Sequence, residues 1–107
     1  MATEDSRHPW VTSEIAQLCG AMRSMRSVEE LERFLRDLCT VGELETMAHR
    51  WQVAQLLDEG LPYLEVARET GASTTTVTRV AQWLKRGEGG YRLALDRLHR
   101  RHRSNSR

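Results

Sequence analysis

Proline and cysteine are both scarce in this chain, with two of each in 107 residues, and each scarcity narrows what the chain can be. With so little proline, and with β-branched residues concentrated in one short stretch, little interrupts helix. Leu, Ala, Glu, Arg and Gln are plentiful, so an all-α fold is expected. Cys19 and Cys39 lack the CxxC spacing of a redox or metal motif and sit in apolar stretches. They read as buried free thiols in a reducing compartment. No apolar run approaches the ~18 residues a membrane helix needs, and no signal-peptide pattern opens the chain. A cytoplasmic protein with no membrane partner is therefore expected. Catalytic signatures are missing as well: there is no phosphate loop, nucleophile elbow or isolated acid pair. Neither an enzyme nor a bound cofactor is expected. Among four histidines, His99 and His102 could share a helix face, but no Cys, Asp or Glu nearby completes a tetrahedral metal set. His8 and His49 stand apart.

What is present is a charge asymmetry hidden by a net charge of +1. Residues 1–61 hold six Lys/Arg and eleven Asp/Glu, a net −5, whereas residues 62–107 hold ten and four, a net +6. A basic half on a nearly neutral protein suits a localised polyanion-binding surface, because each neutralised phosphate releases counterions. A chain of this length makes one domain with a thin stability margin, and self-association would cover helix faces that a lone chain leaves wet. Residues 10–99 are expected to form that domain, between a frayed 1–9 segment and a basic disordered tail at 100–107.

Periodicity divides the domain into about six helices with no strand and no internal repeat. Trp10, Val11, Ile15, Leu18, Met22 and Met25 recur at three- and four-residue steps, the stripe of an amphipathic helix starting near Trp10. Ser27 with Glu30, and Thr40 with Glu43, fit capping boxes that open two further helices. The second of these runs to about Glu59. Its apolar positions (Leu44, Met47, Trp51, Val53, Leu56 and Leu57 among them) cover more than one stripe, which suits packing on two sides. Gly60 supplies its left-handed stop. Pro62 suits a first helical position, and the helix it opens is broken at Thr70-Gly71-Ala72. Ser73 caps a helix at 74–86, Gly87-Glu88-Gly89-Gly90 is a breaker, and a last helix runs from Tyr91 to about His99. Trp10, Trp51 and Trp83 read as core or interface residues rather than base-stacking groups.

Two short helices joined by a tight glycine-containing turn, here at 62–86, have the geometry of a DNA-reading helix-turn-helix. The second helix opens with Ser73, Thr74, Thr75 and Thr76, followed by Thr78 and Arg79. Hydroxyls at a helix N-terminus can donate to phosphates and base edges, threonine methyls can lie against thymine methyls, and the helix end adds positive partial charge. Arg79, Lys85 and Arg86 extend the positive surface, and Arg68 could add a backbone contact. The plainer alternative is that the threonines only cap a solvated helix. A cap needs one of them, and three consecutive β-branched threonines are unfavourable to helix.

From Leu38 to Leu98 the sequence resembles the Trp repressor superfamily, most closely its YerC/YecD-like branch. The resemblance is carried by Leu38-Cys39-Thr40, Glu43-Leu44, Ala48-His49-Arg50, Gln55-Leu56-Leu57 with Gly60, Glu69-Thr70-Gly71-Ala72-Ser73, Thr76-Val77-Thr78-Arg79 and Ala94-Leu95-Asp96-Arg97-Leu98. It implies an intertwined homodimer presenting two recognition helices to successive major grooves of double-stranded DNA. It also implies a possible effector or phosphate site at Thr40, Arg50 and Arg79, which match positions around the repressor's ligand. Val80 and Trp83, however, stand where the repressor has a glycine and a serine, and their bulk should fill that pocket. L-tryptophan is therefore not the expected corepressor.

The expected function is that of a dimeric transcriptional regulator, a repressor by kinship. Ser73 to Arg79 would dock in the groove with backbone support from Arg50, Arg68, Lys85 and Arg86, and Arg100, Arg101 and Arg103 of the tail would add non-specific affinity. Two alternatives stay open: a helical docking subunit that keeps the motif as a structural remnant, and an architectural DNA-binding protein without operator preference.

Overall fold

Local capping chemistry sets most of the helix boundaries. The computed structural model describes residues 8–105, with side chains described through Arg101. Among these residues there are six helices and no strand: α1 Ser13–Arg23, α2 Val28–Leu38, α3 Val41–Asp58, α4 Tyr63–Thr70, α5 Thr74–Arg86 and α6 Gly90–Asn105. The all-α expectation holds.

The first helix starts later than its apolar stripe suggests. Pro9 and Trp10 lie in a turn in which the Val11 N–H donates to the His8 carbonyl at 2.9 Å. Thr12 then caps α1, its Oγ1 accepting from the Ile15 N–H at 3.1 Å. A threonine hydroxyl can satisfy an orphan helix donor and an indole cannot, so the cap overrides the periodicity. The next two caps behave differently from each other. Thr40 and Glu43 form the full reciprocal box before α3, at 3.1 Å from the Glu43 N–H to Thr40 Oγ1 and 2.9 Å from the Thr40 N–H to Glu43 Oε1. Ser27 accepts from the Glu30 N–H at 3.1 Å, but the Glu30 carboxylate reaches one residue further back, to the Arg26 N–H at 2.8 Å.

Helix α3 ends in a Schellman closure. Gly60 takes φ 95°, the Gly60 N–H donates to Leu57 O at 3.0 Å, and the Leu61 N–H donates to Leu56 O at 3.3 Å. Both bonds satisfy carbonyls that the helix end would leave open. Pro62 occupies the N-cap of α4 rather than its first helical position, with φ −62° and extended ψ 151°.

The last helix differs most from expectation. It was expected to stop near His99, with disorder from Arg100; it continues instead to Asn105. No proline or glycine follows Gly90 in the sequence. Arginine is a good helix former, and its charge complements the dipole at a helix C-terminus. Residues 1–7 of the expected frayed start and 106–107 of the expected tail lie outside the described residues.

The chain divides into two compact units, Met1–Leu44 and Glu45–Arg107. In the second, Val53 and Ala54 of α3, Val66 of α4, and Val77 and Val80 of α5 form a fully buried cluster. Trp51, Leu57, Ala67, Ala72, Leu84 and Tyr91 pack on it, and Leu95 of α6 is also buried. Burying side chains of this kind contributes about 1.5–3 kcal/mol each. In the first unit no residue of α1 or α2 is fully buried. The expectation of two buried thiols fails there: Cys39 is half-buried, and Cys19 is exposed on α1.

Candidate nucleic-acid interface

The turn between α4 and α5 is built by one threonine, one glycine and one serine. Thr70 Oγ1 donates to Val66 O at 2.8 Å and accepts from the Ala72 N–H at 3.1 Å, so a single hydroxyl ties the end of α4 to the start of the turn. Gly71 takes φ 78°, where an L side chain would be strained, and reverses the chain as its N–H donates to Ala67 O. Ala72 tucks against the buried cluster. Ser73 then caps α5 by accepting from the Thr76 N–H at 3.1 Å.

This geometry sorts the hydroxyl run. Ser73 Oγ also donates to Thr76 Oγ1 at 3.1 Å, and Thr76 is half-buried. These two side chains therefore serve the cap. Thr74, Thr75 and Thr78 are exposed, and with Arg79 and Gln82 they line one shallow depression on α5. Gln82 was not singled out from the sequence; its spacing of four from Thr78 would have placed it on this face. Val77, Val80 and Ala81 on the opposite side are buried and fix which face of α5 is presented.

The electrostatics favour anions. Helix α5 contains no acidic residue and carries Lys85 and Arg86 in its last turn. Arg79, Lys85 and Arg86 are all exposed, as is Arg68 in the last turn of α4. The positive end of the α5 dipole lies beside Thr74 and Thr75.

Thr40, Arg50 and Arg79, the expected effector or phosphate residues, each have contacts or a lining of their own. Thr40 has its hydroxyl and its N–H engaged in the α3 capping box. Arg79 lines the α5 depression, and Arg50 is not part of that lining. The Arg50 guanidinium instead lies over the Trp83 ring, 5.9 Å from its centroid, a cation–π contact between α3 and α5. The neighbouring Trp51 stacks on Tyr91 of α6 at 6.3 Å and 11°. Burial pushes the Tyr91 phenol above its ordinary value of 10.0, with the Arg50 charge acting in the opposite direction. Val80 is fully buried, while Trp83 remains 44% exposed.

A further cluster was invisible in the sequence. Asp58, at the end of α3, accepts from Arg92 of α6 at 2.8 Å and lies 3.5 Å from His99 Nε2. Arg92 also reaches Asp96 at 3.1 Å. Thirty-four residues separate Asp58 from Arg92, and no local pattern announces such a pair.

Known proteins share this architecture. The family model described as Trp repressor protein matches residues 13–99. The uncharacterized protein YerC of Bacillus subtilis (strain 168) is 44% identical over 85 residues, spanning 79% of this chain and 82% of that protein. The Trp operon repressor homolog of Chlamydia caviae is 30% identical, spanning 95% of this chain and 97% of its own length. The crystal structure of a TrpR like protein from Eubacterium eligens superposes with a TM-score of 0.78 at 38% identity, over 82% of this chain and 91% of that one. On these matches the chain belongs to the Trp repressor family, in its YerC-like branch, a family of DNA-binding regulators and not of enzymes.

Proposed function

We propose that this protein is a homodimeric, sequence-specific transcriptional repressor of the cytoplasm that places α5 in the major groove of double-stranded DNA. The observation that carries the reading is the N-terminal half of α5. Thr74, Thr75, Thr78 and Arg79 are exposed there on one face of a helix free of acidic residues, while Ser73 and Thr76 are engaged in the cap. In this reading Thr74 and Thr75 meet base edges and thymine methyls, Thr78 donates to a phosphate, and Arg79 bonds a guanine edge or a phosphate. Ser73 and Thr76 set the entry angle of the helix, and Arg68, Lys85 and Arg86 hold the flanking backbone. Trp83 lies against Arg50 and Val80 is buried. Both support a regulator that reads DNA without L-tryptophan.

Selection of bound sequences from random duplex DNA, with Thr75→Ala alongside, tests the proposal. The expected result is a palindromic site whose half-site preference is blurred by the substitution, at a cost of about 1–3 kcal/mol for the base contact removed. Binding that enriches no sequence and is insensitive to Thr75→Ala would replace it with the architectural reading, which the +6 net charge of residues 62–107 favours.

A further inference from the structure

The carboxylates around α6 are committed to Arg92 and His99, and on the described part of this helix Arg97, Arg100 and Arg101 make no ion pair. Asp58 takes Arg92 and His99. Asp96 stands four residues before Arg100, in the acidic-before-basic order that favours a helical ion pair. Its carboxylate bonds Arg92 instead. Beyond Asp96 the sequence holds five arginines and no acidic residue. Arg97, Arg100 and Arg101 are exposed, and their spacing of three and four puts them on one face of α6. The neighbouring stripe of α6 carries buried Leu95 with half-buried Tyr91 and Ala94.

Like charges so spaced repel one another, and no later carboxylate on α6 relieves them. A helix that continues to Asn105 regardless keeps these residues on one side, with Arg97 one helical turn of about 5.4 Å before the adjacent pair Arg100 and Arg101. Fifteen of the sixteen cations in the chain are arginines. The planar, bidentate arginine fork suits phosphate oxygens better than a lysine does.

We propose that the Arg97, Arg100 and Arg101 face of α6 is a second contact of this protein with the phosphate backbone of double-stranded DNA, blind to sequence and separate from the base-reading face of α5. The inference rests on the proposed function for its choice of polyanion. The Asp58–Arg92 pair ties α6 to the end of α3 on another side of the helix.

The test is a salt titration of the full-length protein binding a random-sequence duplex. Removing one phosphate neutralisation lowers the slope of log K against log salt by about 0.9. Joint R97Q, R100Q and R101Q substitution is therefore expected to lower the slope by about two to three, with binding at low salt weakened on the order of ten- to a hundredfold. The corresponding Arg→Lys variant keeps the slope. An unchanged slope in the glutamine variant overturns the proposal and turns attention to an acidic protein surface as the partner. Should that variant lose helix by circular dichroism, the arginine Nε–Hε NMR signals of the unsubstituted protein decide. Signals of Arg97, Arg100 and Arg101 that do not move on adding duplex overturn it equally. The two proposals fail separately. Loss of base selection leaves this slope intact, and an unchanged slope leaves the base preference of α5 intact.

Discussion

At Thr70 one hydroxyl bridges Val66 O and the Ala72 N–H, so the turn before α5 depends on an atom that valine, of the same shape, would remove. Thr70→Val is expected to cost about 1–2 kcal/mol, since the part-buried Ala72 N–H loses its partner and Val66 O loses one of its donors; thermal unfolding followed by circular dichroism measures it. Tyr91 gives a second test at this scale. Its phenol is raised above 10.0 by burial, against the pull of Arg50. The neutral phenol is thus favoured in the folded state. Its stabilising contribution is complete below pH 10 and is lost as pH rises through the raised value. Absorbance titration in a Tyr63→Phe background should place Tyr91 ionisation above 10.0, and higher still when Arg50→Gln removes the opposing charge. The hydroxyl run at 73–78 could be read directly from the sequence as a candidate contact surface. Which hydroxyls are exposed could not, because the bond between Ser73 and Thr76 depends on the cap geometry. The pairing of Arg50 with Trp83 was equally hidden, being a contact between helices with no local signal.

Helices were legible where their ends carry local chemistry. The Thr40 and Glu43 box and the Gly60 stop bracket α3 within a residue or so of their sequence positions. Thr40→Val, which keeps the shape and removes the hydroxyl, is expected to destabilise the protein by about 1 kcal/mol. Hydrogen exchange should quicken first at the amides of the opening turn of α3. Elements were misjudged where two rules competed. The apolar stripe through Trp10 pointed to an early start for α1, and the cap at Thr12 prevailed. The basic composition after His99 suggested disorder. Helix propensity and dipole complementarity, with no breaking residue present, carry α6 to Asn105. A charged tail and a charged helix share a composition, and only the absence of a stop signal separates them.

Across the molecule, charge and burial are divided unevenly, and the sequence displayed the first division better than the second. The −5 and +6 halves are countable. That every fully buried side chain among the described residues falls in the unit Glu45–Arg107, with none in α1 or α2, emerged only from the structure. Leu18, Met22, Val28 and Leu38 are left exposed on those two helices. If they are covered by a second chain, as the proposed homodimer requires, the midpoint of thermal unfolding should rise with protein concentration. Sedimentation equilibrium should find the dimer mass, and a midpoint independent of concentration with a monomer mass would refute the pairing. The closure of the Val53, Val66, Val77 and Val80 cluster within one chain also has a genetic meaning. The surface that would meet DNA and the helices that would meet a partner are supported by different residues, so one can be damaged without the other. A copy with Thr75 and Arg79 replaced but α1 and α2 intact would still recruit normal chains. In an equal mixture only about one dimer in four would carry two sound readers, and such an allele would behave as a dominant negative rather than a simple loss.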